Sequence, residues 1–191
     1  MHKFIVFSTF VAGLLASNYS TAQARKIDTT ATFGDAGYRV QCANKKETEN
    51  LVSINPKGFK NTAHEMSFAI TGRLTDIIVD DLNDDGFPDL LMIVHSGAKH
   101  EIANIIGLTS NENTAMLQVA FPDIYNDPKL RVGYKGYDEY SIVAGSLLRS
   151  FPIFKDTDTD KPTGGTRVIQ YKIVPGENYS TFKILRSYEK P

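Results

Sequence analysis

Short apolar runs with a two-residue period recur along the chain from residue 38 onward, and they predict β-strands. These runs are rich in β-branched or aromatic residues, are separated by Gly, Pro, Asn and Lys, and cover 38–42, 49–56, 64–72, 75–80, 89–96, 103–110, 115–122, 138–145, 146–154, 166–174 and 181–188. No window holds an apolar stripe of helical period long enough for a helix. Many short strands at intervals of roughly ten residues are typical of antiparallel sandwiches and barrels. We therefore predict an all-β fold, an antiparallel β-sandwich, in a single domain spanning 38–191.

Two of these runs indicate where the core lies. Residues 89–94, DLLMIV, are apolar on both faces of the pleat, which predicts a central strand covered on both sides. Residues 166–174 alternate instead, which predicts one buried and one solvent-facing side. The polar stretch 155–165, KDTDTDKPTGG, predicts a long hairpin loop.

The N-terminus has the three parts of a secretory signal peptide. Lys3 precedes an apolar run at 4–15, and Ala22-Gln23-Ala24 forms a small-residue cleavage site. We predict that residues 1–24 are removed, that the mature chain starts at Arg25, and that 25–37 form an N-terminal extension before the domain. The apolar run is too short to span a membrane.

Charge limits the classes of binding partner, and the cysteine content limits the covalent cross-links. The net charge of −1 offers no basic field for nucleic acid or an anionic membrane, so neither is expected as a partner. Cys42 is the one cysteine, so no internal disulfide can form, and its place in an alternating run predicts a buried, inert thiol.

The segment 81–89 has the spacing of a calcium loop. Positions 1, 3, 5, 6 and 9 of that pattern are occupied by Asp81, Asn83, Asp85, Gly86 and Asp89. Position 12, where a bidentate Glu is required, is Met92. A thioether is a poor ligand for a hard cation, and both flanks are predicted strands rather than helices. The favoured interpretation is a turn stabilised by Asx side chains, with a shortened calcium loop as the alternative.

No group of residues forms a coherent catalytic set. His95, His100 and Glu101 could bind zinc, but nothing else in the sequence supports such a site. Asp138 and Glu139 are neighbours on a predicted strand, so their side chains point to opposite faces and cannot act as a facing carboxylate pair. We therefore expect a non-enzymatic binding protein without a cofactor, using loops at one end of the sandwich.

Three blocks together resemble the periplasmic inhibitors of invertebrate-type lysozyme: DLNDDGFPDLLMIV (81–94), GYKGYDEYSIVAGSLLRSFPIF (133–154) and PTGGTRVIQYKIV (162–174). The resemblance runs from about residue 38 to the C-terminus. It implies a β-sandwich, a periplasmic location, no enzyme activity, no cofactor and a protein partner, with an invertebrate-type lysozyme as the candidate. It also implies that the segment 81–89 is a strand connection.

The resemblance also points to the partner-binding residues. The inhibitory loop of that family carries Ser-Gly-Ser-Tyr, where this chain has HSGAKHEI (95–102), so Ser96, Lys99 and His100 become the candidate contacts. A second family loop corresponds to 133–138 and implies contacts by Tyr134, Tyr137 and Asp138. Because the Ser-Gly-Ser-Tyr motif is missing, we predict weak or absent inhibition of invertebrate-type lysozyme.

Overall fold

Antiparallel strands make up most of the computed structural model, which describes residues 25–60, 62–97, 102–176 and 179–191. In chain order the strands are β1 (Ile27–Phe33), β2 (Ala36–Cys42), β3 (Asn50–Lys57), β4 (Met66–Ile70), β5 (Arg73–Asp80), β6 (Asp89–Ser96), β7 (Ile102–Asn111), β8 (Ala115–Val119), β9 (Glu139–Val143), β10 (Ser146–Pro152), β11 (Thr166–Val174) and β12 (Thr181–Lys190). A short 3-10 helix covers Ile124–Asn126. The predicted all-β class is confirmed. Strands β2 to β12 coincide with the runs picked from the sequence, although their ends shift by a few residues.

The strands form three sheets of four, each a run of consecutive antiparallel neighbours. We call β1–β4 the N-terminal sheet, β5–β8 the middle sheet and β9–β12 the C-terminal sheet. All registers within them are antiparallel, with irregularities between Leu74 and Asp76 and between Gln170 and Tyr171. Residues 153–165 connect β10 to β11, which pair directly, so the polar stretch lies in a hairpin connection as predicted.

Apolar side chains fill the two spaces on either side of the middle sheet. On β6, Leu90, Met92 and Val94 join a core with the N-terminal sheet, whereas Leu91 and Ile93 join a core with the C-terminal sheet. This alternation follows from the two-residue period of a strand. The expectation that 89–94 is covered on both sides is therefore correct. The sandwich architecture has three stacked layers, because a second apolar face on the middle sheet needs a second covering sheet.

Residues 27–33 form strand β1, although the sequence analysis assigned 25–37 to an extension before the domain. Strand β1 pairs with β2 along its whole length, from Ile27 with Cys42 to Phe33 with Ala36. Most of its side chains are exposed, so it lacks the apolar alternation that marks the other strands. Backbone hydrogen bonds hold it at the sheet edge. The domain therefore starts at β1 rather than at residue 38.

Cys42 ends β2 inside the core of the N-terminal sheet. Its side chain is buried, and its thiol donates a hydrogen bond to Oδ1 of Asn44 at 3.1 Å. The Asn44 side chain also donates to the carbonyl of Leu74 at 2.7 Å and so ties β2 to β5. The structure thus places the thiol where the sequence analysis expected it, away from solvent.

Candidate functional site

A cleft of about 300 Å³ opens between the middle and C-terminal sheets, and we call it the inner cleft. Its walls combine aromatic and aliphatic side chains with polar groups. Its lining residues are Ile102, Ala103, Asn104, Ile105, Phe121, Pro122, Asp123, Ile124, Tyr125, Tyr134, Tyr140 and Arg149. A concave, largely apolar site with a few placed polar groups is the usual form of a binding pocket.

A buried ion pair forms part of the wall of this cleft. Nε of Arg149 donates to Oδ1 of Asp138 at 2.6 Å, and the two side chains are 5% and 0% exposed. The hydroxyl of Tyr134 donates to the other carboxylate oxygen of Asp138 and accepts from Nη2 of Arg149 at 2.9 Å. Each charged group is therefore hydrogen-bonded, as burial in a low-dielectric interior requires.

The same network fixes the aromatic rings of the cleft. The Arg149 guanidinium lies 5.1 Å from the ring centre of Tyr134 and 5.9 Å from that of Tyr140. The Tyr134 ring meets Phe151 edge-on at 4.8 Å and Tyr125 at 5.6 Å. Burial raises the pKa of the Tyr134 phenol well above its ordinary value, and its hydrogen bond to Asp138 acts in the same direction. Tyr134 is therefore a protonated, oriented donor at neutral pH.

The β6–β7 hairpin borders this cleft at the point where β7 begins. Ser96 is half-buried and pairs with Ile102, so the residues between them connect the two strands. Ile102 and Ala103 line the cleft, and the Tyr140 hydroxyl donates to the Ala103 carbonyl at 3.2 Å. Lys99 and His100 lie outside the described residues. The stem of the loop at 96–102 thus lies beside the segment 133–138, the two regions that the sequence analysis selected.

The three residues selected in 133–138 have different environments. Tyr134 lies in the inner cleft and is half-buried. Tyr137 is 44% exposed and stacks on Phe154 outside this cleft. Asp138 is fully buried and bonded to Arg149 and Tyr134, so it supports the cleft wall and has no surface for a partner. Its assignment as a direct contact is corrected, because the strand alternation that exposes Glu139 turns Asp138 inward.

The segment 81–89 forms a turn in which Asx side chains accept backbone hydrogen bonds. Asp81 accepts from the N–H groups of Asp85 at 3.0 Å and Gly86 at 2.9 Å. Asn83 accepts from the N–H of Asp85 at 3.1 Å, and its amide donates to the Asp85 carboxylate at 2.8 Å. Gly86 has φ +83°, a conformation that glycine adopts without strain. These bonds are those expected for the turn interpretation.

Asp89 is the unusual member of that segment. It is fully buried, and its Oδ2 accepts from the Leu82 N–H at 2.9 Å, while Oδ1 has no hydrogen-bond partner. Burial raises the pKa of this carboxyl from 3.8 to about 7. The backbone N–H groups of Leu82 and Ser110 oppose this rise, and the Asp85 and Asp81 carboxylates add to it. Asp89 therefore carries a proton over part of the physiological pH range.

Metal-ligating side chains are not gathered anywhere in the part of the chain that the structure describes, the segment 81–89 included. Across residues 25–60, 62–97, 102–176 and 179–191, no group of three or more His, Cys, Asp or Glu side chains is positioned to hold a metal ion. His95 lies on β6 with its Nδ1 2.7 Å from the Thr75 hydroxyl. Among the described residues no helix is both long enough and apolar enough to cross a membrane.

Apart from Tyr134 and Asp138, the residues that shape the inner cleft were not selected from the sequence. In the sequence, Arg149 is one polar residue in a predicted strand, and nothing local distinguishes Tyr125 and Tyr140 from other aromatic residues. One local signal existed, since an arginine in the otherwise apolar run 146–154 must find a buried partner or point outward. Arg149 and Asp138 lie eleven residues apart in the sequence, and only the register between β9 and β10 brings them together as a pair.

A comparison of the chain with protein-family models, with curated protein sequences and with solved structures finds no match.

Proposed function

We propose that this chain is an exported, non-enzymatic binding domain that docks a protein partner at the inner cleft and the adjoining β6–β7 hairpin. The observation that carries the proposal is the meeting of the two selected loop regions at one aromatic cleft. Ile102 of the hairpin and Tyr134 of the second region line the same surface. Loops held by a rigid β scaffold are the usual place for recognition.

The chemistry of the cleft favours binding over catalysis. Its charged pair, Asp138 and Arg149, is mutually neutralised and buried, so neither group is available to transfer a proton. Tyr134 is held as a neutral phenol. The other lining residues include Tyr125 and Tyr140 beside the polar side chains of Asn104 and Asp123, and aromatic surface of this kind is common in protein-binding hot spots.

Tyr125 is the best-placed anchor for a partner. Its side chain is 55% exposed, and its backbone N–H donates to the Asp123 carboxylate at 2.9 Å. Its ring packs edge-on against the Tyr134 ring. A large ring with few rotors loses little entropy on binding, and truncating such an anchor at the centre of an interface costs about 2 kcal/mol or more. Lys99 and His100, which lie outside the described residues, are expected to tune the association rate and its salt dependence.

The resemblance noted above supports a glycan hydrolase of the invertebrate lysozyme type as the first partner to test. Immobilised lysozymes of several types, incubated with the exported protein, test this directly. Tyr125→Ala should weaken capture at least tenfold, whereas Leu51→Ala, which removes an exposed side chain on the N-terminal sheet, should not. Retention by none of the lysozymes rejects that partner class, and equal capture of both variants rejects the inner cleft as the docking surface.

One observation favours a calcium-binding module as the second candidate. The unpartnered Oδ1 of Asp89 lies beside a loop with a calcium-like spacing. Against it, Asp81 and Asp85 already accept hydrogen bonds with both carboxylate oxygens. The calcium dependence of thermal stability, described in the Discussion, separates the two candidates.

A further inference from the structure

A second cleft of about 340 Å³ lies on the outer face of the C-terminal sheet, and we call it the outer cleft. Its lining residues are Tyr137, Glu139, Ser150, Phe151, Pro152, Phe154, Asp160, Pro162 and Thr166. Glu139 and Ser150 are partners on β9 and β10, directly beside the Tyr140–Arg149 pair of the inner cleft. Because neighbouring residues on a strand project to opposite faces, the sheet separates the two clefts.

One wall of the outer cleft is aromatic, and the ammonium group of Lys135 lies against it. Tyr137 stacks on Phe154 with ring centres 6.1 Å apart and an interplanar angle of 30°. Nζ of Lys135 lies 4.7 Å from the centre of the Phe154 ring and donates to the Asp158 carbonyl at 3.1 Å. The electron-rich ring face attracts positive charge, and Lys135 shows that the geometry at this wall permits it.

Two carboxylates without an ion-pair partner among the described residues lie at the rim of the same cleft. Glu139 and Asp160 both line the cleft, and within the described residues neither carboxylate makes a hydrogen bond or an ion pair. Lys135 is directed to a backbone carbonyl instead, and Lys155 and Lys161 do not line the cleft. Two carboxylates beside exposed aromatic and proline side chains suit a cation that is flat and weakly hydrated. The carboxylates match its charge and the apolar surface matches its flat face.

We propose that the outer cleft binds the guanidinium group of an arginine side chain presented by a partner. A guanidinium is planar, stacks on an aromatic ring and donates hydrogen bonds to carboxylates from its edges, whereas an ammonium is a compact, strongly hydrated charge. Tyr137 provides the stacking surface, and Glu139 and Asp160 provide the acceptors. This site goes beyond the proposed function, because it requires neither the inner cleft nor a lysozyme.

The test uses a capped arginine, Nα-acetyl-arginine amide, titrated into the mature protein and followed by NMR of the Tyr137 ring. Nα-acetyl-citrulline amide is the matched control, because it has nearly the same shape without the charge. We expect saturable binding of the arginine compound with a Kd on the order of 1 mM, typical of a single side chain. The citrulline compound should bind at least tenfold more weakly.

Two variants locate the binding. Glu139→Gln combined with Asp160→Asn should weaken arginine binding at least tenfold, and because both side chains are exposed, the thermal midpoint should stay that of the wild type. Tyr125→Ala, in the inner cleft, should leave the affinity unchanged. Equal binding of the citrulline compound, an unaltered affinity in the double variant, or a loss in Tyr125→Ala each overturns the proposal.

Discussion

Replacing Asp89 by asparagine is expected to change how the stability of the fold depends on pH. The Asp89 carboxyl is fully buried with one unpartnered oxygen, and burial raises its pKa to about 7 in the folded protein. Unfolding returns the group to water and to its ordinary value of 3.8. The folded state therefore binds this proton more tightly than the unfolded state does.

The sign and size of the effect follow from linkage. Between pH 4 and pH 7 the folded protein holds a proton on Asp89 that the unfolded chain has released, so stability falls as the pH rises through this window. The contribution is fully present below pH 4 and is lost above pH 7. The difference between a pKa of 3.8 in the unfolded chain and about 7 in the folded protein corresponds to about 4 kcal/mol of stability. Asparagine cannot titrate and keeps an oxygen to accept the Leu82 N–H.

Urea unfolding from pH 4 to pH 8 measures this difference. Tyrosine emission is a suitable signal, because the chain has no tryptophan. The free energy of unfolding of Asp89→Asn minus that of the wild type should rise by about 4 kcal/mol from pH 4 to pH 8. Taking the difference removes the contributions of groups such as Asp127 and Asp158, whose pKa values are lowered by backbone hydrogen bonds.

Asp156→Asn serves as the control, because Asp156 is exposed in the connection between β10 and β11. Its difference from the wild type should be flat over the same pH range. A flat profile for Asp89→Asn as well would refute the reasoning, since it would mean that the carboxyl titrates alike in the folded and unfolded states.

Four further predictions concern the buried pair, the turn and export. Arg149→Met should destabilise the fold by roughly 3–5 kcal/mol in urea unfolding, because it leaves the Asp138 carboxylate buried without its cation; the added change Asp138→Leu should recover part of the loss. Gly86→Val should cost roughly 1–2 kcal/mol in the same assay, because φ +83° is strained for a β-branched residue while the space around Gly86 is open. If the segment 81–89 is a turn without a metal, the melting temperature should be nearly the same in calcium and in a chelator, and a rise of about ten degrees or more with calcium would contradict this. Mass spectrometry of the exported protein should find a chain beginning at Arg25, and a retained leader would contradict the signal peptide prediction.

Local information in the sequence was sufficient for most of the strands and for one turn. Alternation and β-branched content belong to each segment itself, so β2 to β12 were found without knowledge of their neighbours. The turn at 81–89 was predictable for the same reason, because Asx side chains bond to backbone groups two to five residues away. Strand β1 was missed since its side chains are mostly exposed, although the two residues Gly34 and Asp35 before β2 are a hairpin signal.

The sequence by itself determined the all-β class, the strand positions and the burial of β6 on both faces, because these depend on periodicity along one segment. Only the tertiary structure decided that three sheets stack rather than two, since sheet order depends on which strands pair at long range. It alone joined Arg149 to Asp138, brought Tyr134 and Ile102 to one cleft and left Oδ1 of Asp89 without a partner. Each of these contacts depends on strand register and on packing between sheets. No pattern in the neighbouring sequence of these residues indicates which distant residue they contact.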